Sequence, residues 1–210
     1  MTRAEIKLKS KQVLGGKIFG DVWMTALLIC LIFSAIEAAA GYIIPGIGAL
    51  IVIGPMTYGL NYVFLKQARG GTAGIGELFC GFTSDFGQNF LIGLMTAIFT
   101  FLWSLLLLIP GIVKSYAYSM AYYVKADNPE FGWRECLDES IELMRGHKWE
   151  LFVQDLSFIG WFIVGALCLG VGTLWVAPYY AQARAVFYDN LTRRAIPAWD
   201  ESDEFDNSDF

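Results

Sequence analysis

Apolar positions in this chain come in long, nearly unbroken runs, not in the alternation of a half-buried strand. They fall at Phe19 to Tyr42, Ile47 to Leu65, Phe90 to Ile109, Gly111 to Val124, Leu151 to Leu169 and Thr173 to Leu191. A helix crosses a bilayer with about 20 such residues, and all the runs but one are near that length. The pattern predicts an all-α membrane protein with six transmembrane helices arranged as three hairpins, plus short amphipathic interfacial helices. The fourth run is short, so it tilts little, thins the bilayer locally or is partly re-entrant.

The basic residues test this layout, because lysine and arginine accumulate on the cytoplasmic side. Arg3, Lys7, Lys9, Lys11 and Lys17 precede the first run, and Lys66 and Arg69 follow the second. Lys125, Arg134, Arg145 and Lys148 follow the fourth, and Arg193 and Arg194 follow the sixth. The three opposite turns hold none, and only Lys114 and Arg184 lie inside runs. Both termini are expected in the cytoplasm. The run after the N-terminal lysines mimics a secretory signal, but Glu37 interrupts it and further runs follow, so it reads as a retained first helix.

The outer turns repeat. Ile44-Pro45-Gly46-Ile47 recurs as Ile109-Pro110-Gly111-Ile112, and the third turn is Gly170-Val171-Gly172. Proline and glycine suit tight reversals. The second and sixth runs echo each other too: Pro55 and Pro178 are each followed at the same distance by Val63-Phe64 and Val186-Phe187. Three hairpins related as a degenerate parallel repeat are expected, an arrangement found in transporters and in other membrane proteins. Gly54, Gly59, Gly160, Gly165 and Gly170 are expected to permit close helix packing.

Two polar connections are amphipathic. Residues 128–148 start at Asn128-Pro129, present Trp133, Cys136, Leu137, Ser140, Ile141 and Met144 on one face, and end near Gly146. Residues 1–18 set Ile6, Val13, Leu14 and Ile18 against lysines and read as a helix on the membrane surface, where the basic face attracts anionic lipid or only sets topology. Residues 1–194 form one six-helix domain. The tail 195–210 is acidic, with six carboxylates from Asp200 to Asp209, and is expected to be disordered, either solvated or docking a partner.

Composition agrees with lipid as solvent: 56% of the 210 residues are apolar or aromatic and only 17% charged, with a net charge of -5 that the tail supplies. No concentrated basic surface exists for nucleic acid. Cys30, Cys80, Cys136 and Cys168 have no CxxC spacing, and His147 is the lone histidine, so no metal site, cofactor or disulfide is expected. No HExxH, GxSxG or phosphate loop appears, and no catalytic residue is proposed.

Ionisable groups inside apolar runs need a partner or water, since charge in hydrocarbon costs about 3 kcal/mol or more. Glu37 and Lys114 share an outer level. Asp155 and Arg184 share an inner one, joined there by Asn61, Gln154 and Gln182. This polar layer either binds a headgroup or ion, with Arg184 as the anion contact, or consists of structural ion pairs; in both cases removing one partner should harm more than removing both. Tyr116, Tyr118, Tyr122 and Tyr123 of the fourth run, with Tyr179 and Tyr180 of the sixth, read as packing and interfacial anchors, or as the lining of a polar path.

The chain also resembles a family of bacterial integral membrane proteins, the domain of unknown function 975. The resemblance rests on Leu78-Phe79-Cys80-Gly81-Phe82, Trp103 before Ile109-Pro110-Gly111-Ile112, Tyr116-Ala117-Tyr118-Ser119 and Asp127-Asn128-Pro129. It continues through Met144-Arg145-Gly146-His147-Lys148-Trp149, Phe158-Ile159-Gly160-Trp161, and Pro178-Tyr179 with Phe187-Tyr188. It covers most of the chain before the acidic tail and implies a bacterial plasma-membrane location with no established activity. The expected function is a non-enzymatic membrane protein that binds or moves a lipid or small amphiphile through the inner polar layer. The alternative is a scaffold that recruits a protein partner through its cytoplasmic face, and an intramembrane enzyme comes last.

Overall fold

A computed structural model describes residues 3–15, 20–43, 47–106, 108–167 and 171–195. The acidic tail, Cys168 and the turns at 44–46 and 168–170 lie outside those residues. The described residues form helices and turns, with no strand among them. The long helices are α2 (Asp21–Ile43), α3 (Ile47–Ala68), α5 (Phe86–Leu106), α9 (Lys148–Leu167) and α10 (Val171–Ala195). Shorter ones are α1 (Arg3–Val13), α4 (Cys80–Thr83, after a 3-10 turn over Ile75–Phe79), α6 (Leu108–Tyr118), α7 (Ala121–Asp127) and α8 (Trp133–Leu143).

The packing is a closed ring. α2 lies against α3, α3 against α5, α5 against α6, α6 against α9, α9 against α10, and α10 against α2. α3 and α10 also meet across the ring. These are the two helices whose sequences echo each other, and the echo is kept in packing: Pro55 and Pro178 lie inside their helices, and Val63, Phe64, Val186 and Phe187 are all buried.

Among the described residues, one end of the ring is much tighter than the other. Where α2, α5 and α9 begin and α3, α7 and α10 finish, Trp23, Ala26, Ile92, Phe64, Leu65, Val124, Leu151, Phe187, Tyr188 and Leu191 make one core. At the opposite end Tyr42, Phe101, Leu102, Leu105, Ile109 and Leu167 are exposed. We call these the closed and open ends.

Two helices, over Asp21–Tyr42 and Phe86–Leu105, are long and apolar enough to cross a membrane by length and composition. The fourth run departs from a plain span: its helix is interrupted at Ser119-Met120, giving α6 and α7 in series. The Ile109-Pro110-Gly111-Ile112 motif is not the turn itself, because α6 already starts at Leu108. Pro110 sits in the first helical turn, where its missing N–H leaves no bond unmade, and a Cβ at Gly111 would meet the Ser104 side chain of α5.

The amphipathic connections both dock on the bundle. α8 starts at Trp133, later than the expected Asn128, with the Gly132 N–H donating to Glu135 Oε2 at 2.7 Å. Pro129 and Phe131 turn their carbonyls elsewhere, to the ammonium of buried Lys125 at 2.6 and 2.9 Å. Cys136, Leu137, Ser140 and Met144 are buried as the periodicity predicts, and Gly146 stands past the helix end at φ +84. Burial pushes the Cys136 thiol up to about 11, which keeps it protonated and inert. α1 is not an isolated surface helix: Ile6, Ser10 and Leu14 are buried, and Tyr179 donates to the Lys7 carbonyl at 3.3 Å.

Glycine allows the closest approaches. A Cβ at Gly59 would land on the Leu78 carbonyl, and one at Gly54 would come within 2.9 Å of the Asn89 carbonyl. Gly160, by contrast, faces open space. Gly59→Ala should therefore lower stability by about 1–3 kcal/mol, the usual scale of overpacking. Gly160→Ala should leave it unchanged or slightly higher through helix propensity. Thermal unfolding of the two variants in detergent measures both.

Candidate functional site

A cavity of 630 Å³ sits inside the ring, and every element of the ring supplies part of its wall. α2 gives Cys30, Phe33 and Ser34; α3 gives Thr57, Leu60 and Asn61; α5 gives Thr96. The interrupted α6–α7 gives Ser115, Tyr116, Tyr118, Ser119, Tyr122 and Tyr123, α9 gives Asp155 and Phe162, and α10 gives Ala177, Tyr180, Ala181 and Arg184. The volume falls within the range of small-molecule sites.

The interruption of α6–α7 shapes this wall. Breaking a helix inside an apolar bundle frees backbone groups that must find partners. Ser140 of α8 serves two of them: its hydroxyl donates to the Ala117 carbonyl at 2.8 Å and accepts the Met120 N–H at 3.2 Å. The two half-helices then bring two tyrosine pairs to the cavity, Tyr116 with Tyr118 and Tyr122 with Tyr123.

Asp155 and Arg184 are the charged members of the lining. They do not form the direct ion pair expected from their depth. Tyr180 stands between them: Arg184 Nη1 donates to its hydroxyl at 3.4 Å, and the same hydroxyl lies against Asp155. Tyr116 donates to Asp155 Oδ2 at 3.1 Å. Asp155 Oδ1 and Arg184 Nε are buried and bonded by no protein group. Depth along a helix was legible in the sequence; rotation about its axis was not, and a tyrosine filled the gap.

The rest of the candidate layer divides. Asn61 lines the cavity. Gln154 and Gln182 instead tie helices together: Gln154 Nε2 donates to the Ala183 carbonyl and Gln182 Nε2 to that of Phe64, each at 3.2 Å. Glu37 and Lys114 are not paired. α6 packs on α5, α8 and α9 while α2 packs on α3 and α10, so a shared level does not make them neighbours. The Lys114 ammonium lies 5.1 Å over the Trp103 ring instead.

A second polar assembly, at the closed end, was not singled out in the sequence. Asp189, with a side chain 3% exposed, accepts from Lys9 at 3.2 Å, Arg69 at 3.3 Å and Arg193 at 3.1 Å. Arg69 also holds Asp127 through two bonds of 2.6 and 2.8 Å, and Tyr188 donates to that carboxylate at 2.9 Å. The bond to Asp127 pushes the Arg69 guanidinium above its ordinary value, so its charge is permanent. The usable signal was Asp189 itself, a carboxylate within the sixth apolar run. Lys125, 1% exposed, is likewise enclosed by Asp85 and two carbonyls, so one of the residues read as marking topology also holds the fold together.

Residues 105–195 match the model of a family described as "Protein of unknown function (DUF975)". The family resemblance read from the sequence thus holds over that stretch, which carries α6 to α10, the tyrosines, Asp155 and Arg184, whereas two of the motifs quoted for it, Leu78 to Phe82 and Trp103, lie outside the match. No curated protein and no solved structure matches the chain. Cys30, Cys80 and Cys136 are free thiols.

Arg69→Ala removes one of three cations from a buried carboxylate and the bidentate partner of Asp127. It should cost about 2 kcal/mol or more, whereas Arg193→Ala, at an exposed partner, should cost under about 1 kcal/mol. Denaturation in mixed detergent micelles compares them.

Proposed function

We propose that the chain is a multi-pass membrane protein whose six crossings, the fourth made of α6 and α7 in series, form a cup that binds a lipid or other small amphiphile, or moves it. The observation that carries this reading is the cavity: its lining combines Asp155, Arg184, Asn61 and five tyrosines with Phe33, Leu60, Phe162 and Ala177. A lining of charged, hydroxyl and apolar groups together suits a molecule with a polar head and an apolar body. The reading assigns no catalytic step.

The outer surface supports membrane insertion. Only 28% of the apolar window of α2 and 11% of that of α5 are buried within the protein. Leu156, Ile159, Trp161, Ile163 and Val164 of α9 are exposed as well. In water so large an apolar surface would aggregate; in lipid it is the expected exterior. Intramembrane backbone that departs from a regular helix is tolerated where it lines a cavity, and discontinuous helices form the binding sites of many transporters. The lysines and arginines near the closed end orient it toward the cytoplasm with both termini, and the family resemblance points to a bacterial plasma membrane.

The scaffold alternative is weakened by α8, because the apolar face that would recruit a protein partner is already used against the bundle. Only its acidic face, with Asp138, Glu139 and Glu142, remains for that purpose.

Native mass spectrometry of the protein in mild detergent tests the reading. Wild type should retain a defined small molecule, and Arg184→Ala, eluting as the same folded species, should retain about tenfold less, the scale of one charge-assisted bond. An empty wild type, or equal retention, would move the function to the protein's cytoplasmic surface. The orientation is checked separately. Tyr42→Cys, at a position 89% exposed at the open end, should react with a membrane-impermeant maleimide on intact cells, and Arg145→Cys only after the cells are opened.

A further inference from the structure

Two charged side chains line the cavity, one of each sign, and neither neutralises the other by direct contact. An ionic group without a full set of partners is costly where water is scarce, and each of these half-buried groups is only partly bonded: Asp155 Oδ2 accepts from Tyr116 and Arg184 Nη1 donates to Tyr180, while the sealed Oδ1 and Nε have no protein partner. A ligand carrying only a negative charge would satisfy Arg184 and be repelled by Asp155. A ligand carrying only a positive charge would do the reverse.

Building on the amphiphile-binding reading of this same cavity, we propose that the ligand's headgroup is zwitterionic, an oxyanion held by Arg184 and an ammonium held by Asp155, joined by a short linker. A guanidinium is suited to an oxyanion because its N–H groups diverge in a planar fork. The Asp155 side has a second feature that fits an ammonium: Tyr116, bonded to Asp155, and Tyr122 line the same cavity and aromatic faces attract cations, whereas the Tyr180 ring already carries the Arg184 guanidinium at 5.8 Å. Tyr180, touching both charged groups, sets their separation.

The test is a competition read by native mass spectrometry on the full chain in mild detergent. The probes are lysophosphatidylethanolamine, lysophosphatidylglycerol and an alkylamine of matched chain, offered at equal concentration. Wild type should retain the ethanolamine lipid about tenfold over each of the others. Asp155→Asn should erase the preference over the glycerol lipid, and Arg184→Gln the preference over the alkylamine. If either variant fails to elute as a folded species, the wild-type ranking decides. Free O-phosphoethanolamine added as competitor separates the sources: displacement at equal concentration identifies a soluble zwitterion, and its absence identifies a lipid, with the headgroup chemistry upheld in both. Equal retention of the glycerol lipid by wild type would overturn the zwitterionic headgroup and leave the amphiphile cavity standing. Retention of none of the probes would overturn both.

Discussion

Where a helix breaks inside an apolar bundle, the freed N–H and C=O groups have nowhere to turn but another side chain. Two hydroxyls meet that demand here: Ser119 donates to the Tyr116 carbonyl at 2.8 Å, and Ser140 of α8 serves two more groups. Ser140 takes the Ala117 carbonyl and the Met120 N–H together, and several features hang on it. The interruption changes which faces of α6 and α7 meet the cavity, so that tyrosines from both halves reach it. Holding Ser140 in place requires α8 to lie against the bundle, which buries Cys136, Leu137 and Met144. The start of α8 is held in turn by the Trp133 N–H donating to Gln88 of α5 at 2.9 Å. A surface-looking amphipathic segment thereby becomes part of the cavity wall's support.

The closed end works by a different means. Asp189 and Asp127 gather Lys9, Arg69 and Arg193, and through them α1, α3, α7 and α10 are fastened at one level. Such an assembly contributes little net energy compared with apolar packing of the same shape, but it penalises any arrangement in which one partner is missing. Lys125 does the same for the 128–131 connection. Among the described residues the result is an asymmetric bundle: apolar core and ion network at one end, exposed apolar side chains at the other, and the cavity between. The α3–α10 crossing sits at the centre of this plan, which is why the Val-Phe pairs of the sequence echo, Val63-Phe64 and Val186-Phe187, are buried in both helices.

The sequence made the helices legible because their signal is one-dimensional. Runs of apolar residues, the prolines of α3 and α10 and the buried face of α8 can all be read without knowing the neighbours. Depth was legible for the same reason, so Asp155, Arg184 and Asn61 were found at one level and do share one cavity. What depth cannot supply is azimuth. Gln154 and Gln182 lie at that level yet face other helices, and Glu37 and Lys114 share a level on helices that do not pack together. The tyrosines read either as packing or as the lining of a polar path, and they divide: Tyr116, Tyr118, Tyr122, Tyr123 and Tyr180 line the cavity, while Tyr179 packs on Trp23 and bonds to α1. Asp189 could have been found, since it lies in an apolar run, but its partners Lys9 and Arg69 are remote in sequence and look like ordinary topology markers.

The two polar assemblies contain similar residues, and what separates them is satisfaction. At the closed end Asp189 has three cationic partners and Asp127 two donors, so the network is complete within the chain. In the cavity the carboxylate and the guanidinium are each held by tyrosine hydroxyls on one side and bonded by no protein group on the other. A fold that can pair a buried aspartate with three cations at one level does not lack the means to pair another a few turns away. That it separates Asp155 from Arg184 by a tyrosine, with both side chains lining a space built by every helix of the ring, argues that the separated charges serve something the cavity admits.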